Sequence, residues 1–428
     1  MTDDLADNAL LEQLQRGAFD YFLLAYNPRN GLVADTTREG APASIAVVGF
    51  ALSVYPVGVE RGWMDRTNAV ARTLVTLRFL VASDQSGSAQ ATGYRGFYFH
   101  FLDMTSGTRV WRSELSLIDT AFLMAGILTA ATYFDAETPE EIELRRLADT
   151  LYRRIDWNWA QRKGGAVTHG WKPESGFLNY RWEGYSEAIL LYVLGMGSPT
   201  HALDDKCFCA WTATYQWENI YGHDFLYAGP LFIHQFSHAW IDFRGIRDAF
   251  MREKDCDYFE NSRRATFVQR EYAIRNPGNF IGYGADCWGI SAGDGPKVKR
   301  RRISGRRQSF YGYAARGVPY GPDDGTVSGP AMVSSLAFAP ELVLPAVRAL
   351  WARDEHGNDA LIRASGFNPT LSEAGPNGWV SPGVFGLDQG MIVMMIENYL
   401  TGLPWRLGRA NPFVRAGLSR AGFTDGWL

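Results

Sequence analysis

The sequence has few cysteines, no long apolar run and no marked excess of charge of one sign. Four Cys in 428 residues exclude a disulfide-stapled scaffold and are expected to be reduced thiols. The 42 basic and 46 acidic residues leave a formal charge of −4, which argues against a dedicated nucleic-acid binder. The most apolar stretches, Ile189–Met196 and Met391–Ile396, are much shorter than the roughly 20 residues that span a bilayer. We therefore expect neither nucleic acid nor a membrane as partner.

The sequence also lacks the signals of a leader peptide or a domain boundary. The acidic N-terminus, Met1–Asp4, has neither the basic nor the apolar segment of a signal peptide. We expect a cytoplasmic protein, or a periplasmic one whose leader has been removed. Because no Ser/Pro-rich linker or block of charge divides the chain, we expect a single domain over residues 1–428.

Aromatic side chains are abundant. The chain contains 14 Trp, 20 Tyr and 25 Phe, which make up 14% of its residues. The hydrophobic and charged fractions, 46% and 21%, are those of an ordinary globular protein. Some of the rings must build the core, and the excess suggests a ligand with flat apolar faces and many hydroxyls.

Apolar residues recur at helical spacing along most of the chain. This periodicity predicts about eleven or twelve helices: Asn8–Tyr26, Ser44–Val57, Asp65–Val81, Leu115–Phe134, Thr138–Tyr152, Ser186–Met196, Ala202–Trp217, His234–Phe250, Tyr258–Arg275, Ser334–Trp351 and Leu387–Tyr399. Strand signals are few: Tyr94–Phe101, Gly165–Thr168 and Val327–Gly329. The fixed repeat period that a solenoid requires is absent. The pattern therefore predicts an all-α fold, a closed double ring of helices (an α/α barrel) with a cleft at one end.

A first polar cluster opens the helix predicted over residues 115–134. Ser113 can cap this helix, and Glu114 then falls in its first turn, where a carboxylate suits the helix dipole. Glu114 therefore has a structural alternative to a functional role. Asp119 interrupts the apolar run that follows, and a carboxylate buried there needs a partner.

The densest polar and aromatic run covers residues 179–187. Ser186 is expected to cap the next helix, which gives Glu187 a place in its first turn. Glu183 precedes this helix, beside Trp182, and an apolar wall there would raise the pKa of its carboxyl, as a general acid requires. The alternative is a surface carboxylate paired with a neighbouring arginine, and we favour the functional role.

Two histidines, His234 and His238, stand four residues apart on a predicted helix, a spacing that can bind a metal. Asp242 continues the same predicted face. No Glu follows His234, so the zinc-protease pattern is absent. We favour hydrogen-bonded histidines near a cleft and expect no metal and no cofactor.

Two segments in the C-terminal half can be explained without a functional role. The Gly-rich loop around Trp288 lacks the residue order of a phosphate-binding loop, so it does not indicate a nucleotide site. Asp388 lies where the last predicted helix begins, and simple capping would explain it.

A third segment, Lys297–Arg307, contains seven basic residues in eleven positions. A solvated loop is the favoured interpretation, and contact with an anionic partner is the alternative.

Five motifs, in this order, resemble the glucoamylase-like family, glycoside hydrolase family 144, the β-1,2-glucanases: SELSLIDTAFLMAGIL, GFLNYRWEGYSEAILLYVLGMGSPTHAL, GPLFIHQFSHAWIDFRGIRD, DYFENSRRATFVQREYAIRNP and WGISAGDGP. The middle domain of cyclic β-1,2-glucan synthases is similar. The likeness runs from about Gly17 to Leu400 and implies an (α/α)6 barrel with a glycosidase cleft. The name glucoamylase is historical, and starch is not the implied substrate.

The resemblance also implies roles for three carboxyl residues. It makes Glu183 the candidate general acid, Glu114 a second essential carboxylate and Asp388 the candidate base. We therefore expect a hydrolase that cleaves β-1,2-glucan between paired carboxyl groups. A transglycosylase on the same glucan and a catalytically silent glycan-binding protein are the alternatives. The basic segment after Gly-Pro departs from the usual pattern of the family.

A wider set of residues is expected to contact the glycan. Its members are Asp119, Trp182, Tyr185, Glu187, His234, His238, Trp240, Asp242 and Trp288. The four aromatic members are candidates to stack on sugar faces.

Overall fold

Helices make up most of the regular structure in the computed structural model, which describes residues 2–161, 165–303, 305–353 and 359–428. The described residues form sixteen α-helices: α1 (Thr2–Leu24), α2 (Ile45–Glu60), α3 (Arg66–Ala82), α4 (Leu117–Tyr133), α5 (Pro139–Arg154), α6 (Trp157–Gln161), α7 (Ile189–Gly197), α8 (Lys206–Thr212), α9 (Ala249–Glu253), α10 (Tyr258–Arg275), α11 (Gly329–Val333), α12 (Pro340–Arg353), α13 (Ala360–Arg363), α14 (Gly386–Leu400), α15 (Leu403–Ala410) and α16 (Pro412–Arg420). None of the helices described is both long and apolar enough to cross a membrane.

Short antiparallel strands lie in the connections between helices. They are β1 (Ala43–Ser44), β2 (Gly93–Tyr94), β3 (Phe97–Phe99), β4 (Phe101–Leu102), β5 (Leu115–Ser116), β6 (Gly170–Lys172), β7 (Gly176–Phe177), β8 (Trp217–Ile220), β9 (His223–Leu226), β10 (Ala292–Gly293), β11 (Lys299–Ile303), β12 (Arg306–Phe310), β13 (Ala314–Ala315), β14 (Phe367–Asn368) and β15 (Trp379–Val380). The largest sheet has the order β2-β3-β5-β6-β7. The fold is thus mostly helical, with strands in addition to the predicted helices. The sequence did not predict most of these strands, because strands this short show no clear alternation.

Helices α2 and α4 pack with their backbones in close contact. A Cβ atom on Gly126 would lie 1.9 Å from the Gly49 carbonyl oxygen, so this approach requires glycine. Helix α2 also packs against α14, and α4 packs against α7. Helices α15 and α16, which the sequence did not predict, cover α4 and α7.

The cap of α4 differs from the predicted one. The Ser116 hydroxyl accepts a hydrogen bond from the Asp119 N–H and caps the helix. The prediction that Ser113 is the cap was wrong, because Leu115 and Ser116 pair with β3 and β6 before the helix begins. Glu114 therefore lies ahead of a strand and not in a helical turn.

Helix α7 begins at Ile189, three residues after the predicted cap at Ser186. Ser237, from a distant segment, caps it instead. The Ser237 hydroxyl accepts from the Leu190 N–H at 3.3 Å and donates to the Glu187 carbonyl oxygen at 2.8 Å. Glu187 consequently stands just ahead of the helix and not in its first turn.

Residues 234–250 do not form the predicted helix. Two short 3₁₀ turns and irregular chain precede α9. The Asp242 carboxylate accepts from the Arg244 N–H at 3.1 Å, and such a local side-chain bond competes with helical hydrogen bonds. The shared helical face predicted for His234 and His238 is therefore absent.

The basic segment Lys297–Arg307 forms most of a hairpin and not the expected loop. In the pairing of β11 with β12, Arg302 lies opposite Arg307. Phe310 is buried on the inner face of the hairpin, whose root is the pairing of β10 with β13. Residue 304 and the Arg306 side chain lie outside the described part of the chain. Consecutive basic residues lack the apolar alternation by which strands are recognised.

Candidate active site

A cavity of about 260 Å³ opens where the first turns of α4, α11 and α14 meet the segment before α7. Its ionisable lining residues are His100, Asp119, Glu187, Tyr313 and Asp388. Its other aromatic lining residues are Phe122, Phe232, Phe236 and Phe385. Carboxylates and ring faces together suit a ligand with many hydroxyls and flat apolar faces.

Glu187 lies on the cavity wall. Burial, reinforced by the charge of Asp119, raises the pKa of the Glu187 carboxyl to about 7. At neutral pH a substantial fraction of this carboxyl therefore carries a proton, which is the state that general acid catalysis requires.

Asp388 lies in the first turn of α14, as predicted. Burial is the main cause that raises the pKa of its carboxyl to about 7; the charges of Asp35 and Asp294 add to the rise, and a hydrogen bond with Ser365 opposes it. The Asp388 Oδ2 atom is buried and has no hydrogen-bond partner among the described residues. An orphaned carboxyl oxygen on a cavity wall indicates a place for water or a ligand hydroxyl.

His100 joins two of the predicted carboxylates. Its Nδ1 lies 2.9 Å from Glu114 Oε1, and its Nε2 lies 3.5 Å from Asp119 Oδ2. Burial alone would lower the pKa of His100, but the carboxylates of Asp119, Glu114 and Asp35 outweigh it and raise the pKa to about 9. The imidazole is therefore a cation at neutral pH. Asp119 thus has the partner that its burial was expected to require.

The same three residues also have the donor types of a metal site. Potential ligand atoms of His100, Glu114 and Asp119 lie within 4.8 Å of one another. A protonated imidazole offers no lone pair to a metal, so in that state His100 is hydrogen-bonded to Glu114 and ion-paired with Asp119 instead. The expectation that no metal is needed remains a prediction.

The sequence did not mark Asp35 and Tyr313, two residues close to the cavity carboxylates. Burial raises the pKa of Asp35 to about 6, against the opposing charge of His100. The Tyr313 ring is 65% exposed, but desolvation of its hydroxyl and the nearby charges of Asp388, Asp35, Asp119 and Glu187 raise its pKa. Both residues occupy connections without helical periodicity, so no pattern singled them out.

Glu183 does not line the cavity, and its side chain is exposed. The neighbouring Trp182 ring stacks on His169, with centroids 4.0 Å apart. The apolar shelter expected for the Glu183 carboxyl is therefore absent. Tyr185, also outside the cavity lining, stacks on Tyr258 at 5.8 Å.

Trp240 and Trp288 were expected to stack on sugar faces, but both are buried in the core. The Trp240 ring packs on Phe50, and its Nε1 donates to Ser53 Oγ at 2.8 Å. The expectation was wrong because a sequence does not distinguish a core tryptophan from a ligand-binding one.

His234, His238 and Asp242 also lie outside the cavity lining. Burial lowers the pKa of His234 to about 4 and that of His238 to about 3. Both rings are therefore neutral at neutral pH, and both are hydrogen-bonded in the core. This agrees with the favoured interpretation of the sequence, which was a pair of hydrogen-bonded histidines. Asp242 pairs with two arginines. The cavity residues of this segment are Gln235 and Phe236.

A buried ion pair stabilises the wall on the hairpin side. Arg316 Nε lies 2.7 Å from Asp324 Oδ1, and both side chains are almost fully buried. The Arg316 guanidinium also donates to the carbonyl oxygen of Gly293, a lining residue, at 3.0 Å. Removing one partner of such a pair typically costs about 3–5 kcal/mol, because the other is left as an unpaired buried charge, so the wall depends on both residues.

The family model described as "Putative glucoamylase" matches residues 179–412. A putative glucoamylase from Bacteroides uniformis has a solved structure that is similar to this chain. The two are 30% identical with a TM-score of 0.86, and the match covers 99% of this chain and 98% of that one.

Two relatives have names that specify a substrate. The exo β-1,2-glucooligosaccharide sophorohydrolase (non-reducing end) of Parabacteroides distasonis is 27% identical over 466 residues, which cover 98% of this chain and 58% of that protein. The chain thus spans little more than half the length of this curated relative. The endo-β-1,2-glucanase of Chitinophaga pinensis, solved with sophorotriose and glucose, is 26% identical with a TM-score of 0.85 over 99% of both chains.

Proposed function

The chain belongs to the putative glucoamylase family, and we propose that it is a glycoside hydrolase that cleaves β-1,2-glucan. One observation carries this proposal: Glu187 and Asp388 line one aromatic-walled cavity, and each carboxyl has a pKa raised to about 7. Glycosidases place two carboxyl groups on either side of the bond that they cleave. The names of the Parabacteroides and Chitinophaga relatives support the β-1,2 linkage.

Glu187 is the proposed general acid, in place of Glu183. Its partly buried carboxyl holds a proton near neutral pH, and this proton passes to the leaving glycosidic oxygen. The nearby Asp119 charge opposes ionisation of Glu187. Glu183 has neither the shelter nor the position on the cavity that this role requires.

Asp388 is the proposed partner, in agreement with the role that the resemblance implied. Its place in the first turn of α14 puts it at the positive end of the helix dipole, which stabilises the ionised form. An inverting enzyme would use this carboxylate to activate water, and a retaining enzyme would use it to attack the sugar carbon. The unpartnered Oδ2 atom supports either role.

The His100 cation pairs with Glu114 and with Asp119, and of these two carboxylates Asp119 lines the cavity. Carboxylates held in this way bind sugar hydroxyls without first having to be ordered. Glu114 and Asp119 are therefore proposed as substrate-positioning residues.

An (α/α)6 barrel in a single domain over residues 1–428 is part of the same proposal. Helices α2, α4, α7, α11 and α14, with the 3₁₀ turn at residues 236–239, would form the inner ring. Contacts of α2 with α4 and α14, of α4 with α7, and of α14 with α11 and the turn support this arrangement. A hydrophobic core cluster that extends from Leu11 to Phe423 supports the single domain.

Incubation with a panel of β- and α-linked glucans, followed by product identification, tests the proposed function. Shorter β-1,2-linked products with new reducing ends are expected, and the other linkages should stay intact. Products with newly formed glycosidic bonds would identify a transglycosylase instead. Binding of β-1,2-glucan without any product would identify a silent glycan-binding protein.

A further inference from the structure

We propose that Trp111 forms a glucose-binding subsite at the mouth of the cavity, on the side of His100. The inference rests on the proposed function and deepens it, because it names a place where the glucan chain continues outside the cavity. The occupant would be a neutral β-linked glucose unit with one apolar ring face.

The Trp111 ring is 69% exposed, which is unusual for so large an apolar side chain. Its backbone is unusual as well. Trp111 and Arg112 have φ angles of +55° and +51°, and the Ser113 N–H donates to the Val110 carbonyl oxygen at 3.0 Å. Positive φ at both central residues defines a type I′ turn, which normally carries Asn and Gly. The chain thus holds a tryptophan in a strained and exposed position.

A buried arginine fixes this turn. The Arg109 side chain donates to the Ser113 carbonyl oxygen at 2.6 Å and to both carboxylate oxygens of Glu174, at 2.7 and 3.1 Å. The Arg109 side chain is almost fully buried. The exposed ring therefore stands on a rigid support and loses little conformational freedom when a ligand binds.

Ring contacts connect Trp111 to the catalytic cavity. Its ring centroid lies 5.1 Å from that of Phe101, and the Phe101 ring stacks on His100 at 3.9 Å. The Nε2 atom of His100 faces Asp119 on the cavity wall. A glycan that leaves the cavity past His100 would therefore meet the face of Trp111.

The chemistry of this surface fits a sugar. The face of an indole ring packs on the C–H face of a pyranose, and its quadrupole favours such contacts. Arg112 is adjacent, with a side chain that is 80% exposed, and its planar group of N–H donors is suited to the hydroxyls at the edge of the same sugar.

Kinetics on glucans of different length test this subsite. In Trp111→Ala we expect KM for long β-1,2-glucan to rise by roughly three- to tenfold, with kcat unchanged. On the shortest oligosaccharide that the enzyme hydrolyses, both constants should stay at native values. Tyr320→Ala is the matched control, because this ring is also exposed, at 70%, and does not line the cavity; it should leave all constants unchanged.

Trp111→Gly separates ring contact from backbone strain. Glycine accepts the positive φ that alanine resists, so the Gly variant should have the higher Tm of the two. Loss of stacking predicts the same rise in KM in both variants, whereas a structural role predicts that KM follows Tm. Native KM for long glucan in both variants would overturn the subsite.

Failure of the proposed function gives a different result. In that case the native protein would release no product from β-1,2-glucan. Calorimetric titration with the same long glucan would then decide about Trp111. If Trp111→Gly binds the glucan more weakly than the native chain does, the subsite is supported. If both proteins bind it equally, or if the native chain does not bind it, the subsite is overturned.

Discussion

The Ser237 hydroxyl donates to the backbone carbonyl of Glu187 over 2.8 Å. The Ser237 hydroxyl oxygen also accepts from the Leu190 N–H. One serine therefore caps α7 and holds Glu187, which stands just ahead of this helix. This serine belongs to the segment that also contributes Gln235 and Phe236 to the cavity. The proposed acid is thus held by a segment that lines the same cavity.

Glu187→Gln is expected to reduce kcat on β-1,2-glucan by roughly 10²–10⁴-fold, because glutamine has no proton to give to the leaving oxygen. Glucan binding and the circular dichroism spectrum should stay near native, since the amide has the shape of the carboxyl. Steady-state kinetics with purified variant measure the loss.

Glu183→Gln is the matched control for this substitution. The place of Glu183 beside Trp182, as the candidate acid, predicts that this substitution abolishes turnover, whereas the exposed position of Glu183 predicts nearly native rates. If Glu183→Gln is inactive and Glu187→Gln retains activity, the assignment of the acid returns to Glu183.

Asp388→Asn should remove activity and also change how stability depends on pH. The folded-state pKa of about 7 lies well above the ordinary value, so ionisation of this buried carboxyl destabilises the native protein as pH rises from about 4 to 7. Asparagine does not ionise, so above pH 7 the variant should gain stability relative to the native chain, on the order of 1–3 kcal/mol. Urea unfolding at pH 5 and pH 8 measures the change, and a constant difference at both values would contradict the buried, raised pKa.

Periodicity predicted the parts of the fold in which local signals are strong. Helix α5 has a Thr138 cap, Pro139 in its first turn and a clear apolar stripe, and it was predicted correctly. Asp388 was also placed correctly, at the start of α14. The predicted helix over residues 234–250 failed because an Asp242 side-chain bond, invisible to periodicity, interrupts the backbone.

The candidate site was predicted only in part, because long-range contacts decide which side chains reach a cavity. Asp119 was correctly expected to need a partner, but His100, which supplies it, lies outside any motif. Glu183 and Glu187 stand four residues apart in one polar run, and only tertiary packing distinguishes the exposed carboxyl of Glu183 from that of Glu187, which lines the cavity. Trp111 shows the same limit, since its exposure depends on a turn conformation that its residue type disfavours.

His100→Gln should be less stable than the native chain near pH 6 and equally stable near pH 10. The folded-state pKa of about 9 exceeds the unfolded value of roughly 6.5. The stabilisation is therefore fully present below pH 6.5 and is lost as pH rises through 9. We expect a difference of about 2 kcal/mol at pH 6, measured by urea unfolding across this range. A difference that persists at pH 10 would show that packing, and not charge, is what the substitution removes.

Chelation is expected to leave activity unchanged. His100 is protonated at neutral pH between Glu114 and Asp119, and His234 and His238 are buried and hydrogen-bonded, so neither group is arranged to hold an ion in these states. Activity is measured after dialysis against EDTA and again after addition of divalent ions. Loss of activity that a divalent ion restores would contradict this prediction and point to the cluster around His100.

Neutralising the outer face of the basic hairpin is expected to leave hydrolysis of neutral β-1,2-glucan unchanged. Phe310 is buried and lies opposite Lys299, so alternation along the strands puts Arg300, Arg302 and Arg307 on the other, exposed face. A neutral glucan gives these charges nothing to attract. The triple variant Arg300→Gln, Arg302→Gln, Arg307→Gln should therefore show native KM and kcat at low and high salt.

Glucans with charged substituents should give the same result with this variant, because most charge runs are simply solvated. A loss limited to charged glucans and largest at low salt would instead identify an anion site, since salt screens such attraction. A loss on the neutral glucan would contradict both interpretations, and it would mean that the hairpin, whose root at β10 and β13 borders the cavity, takes part in shaping the cleft.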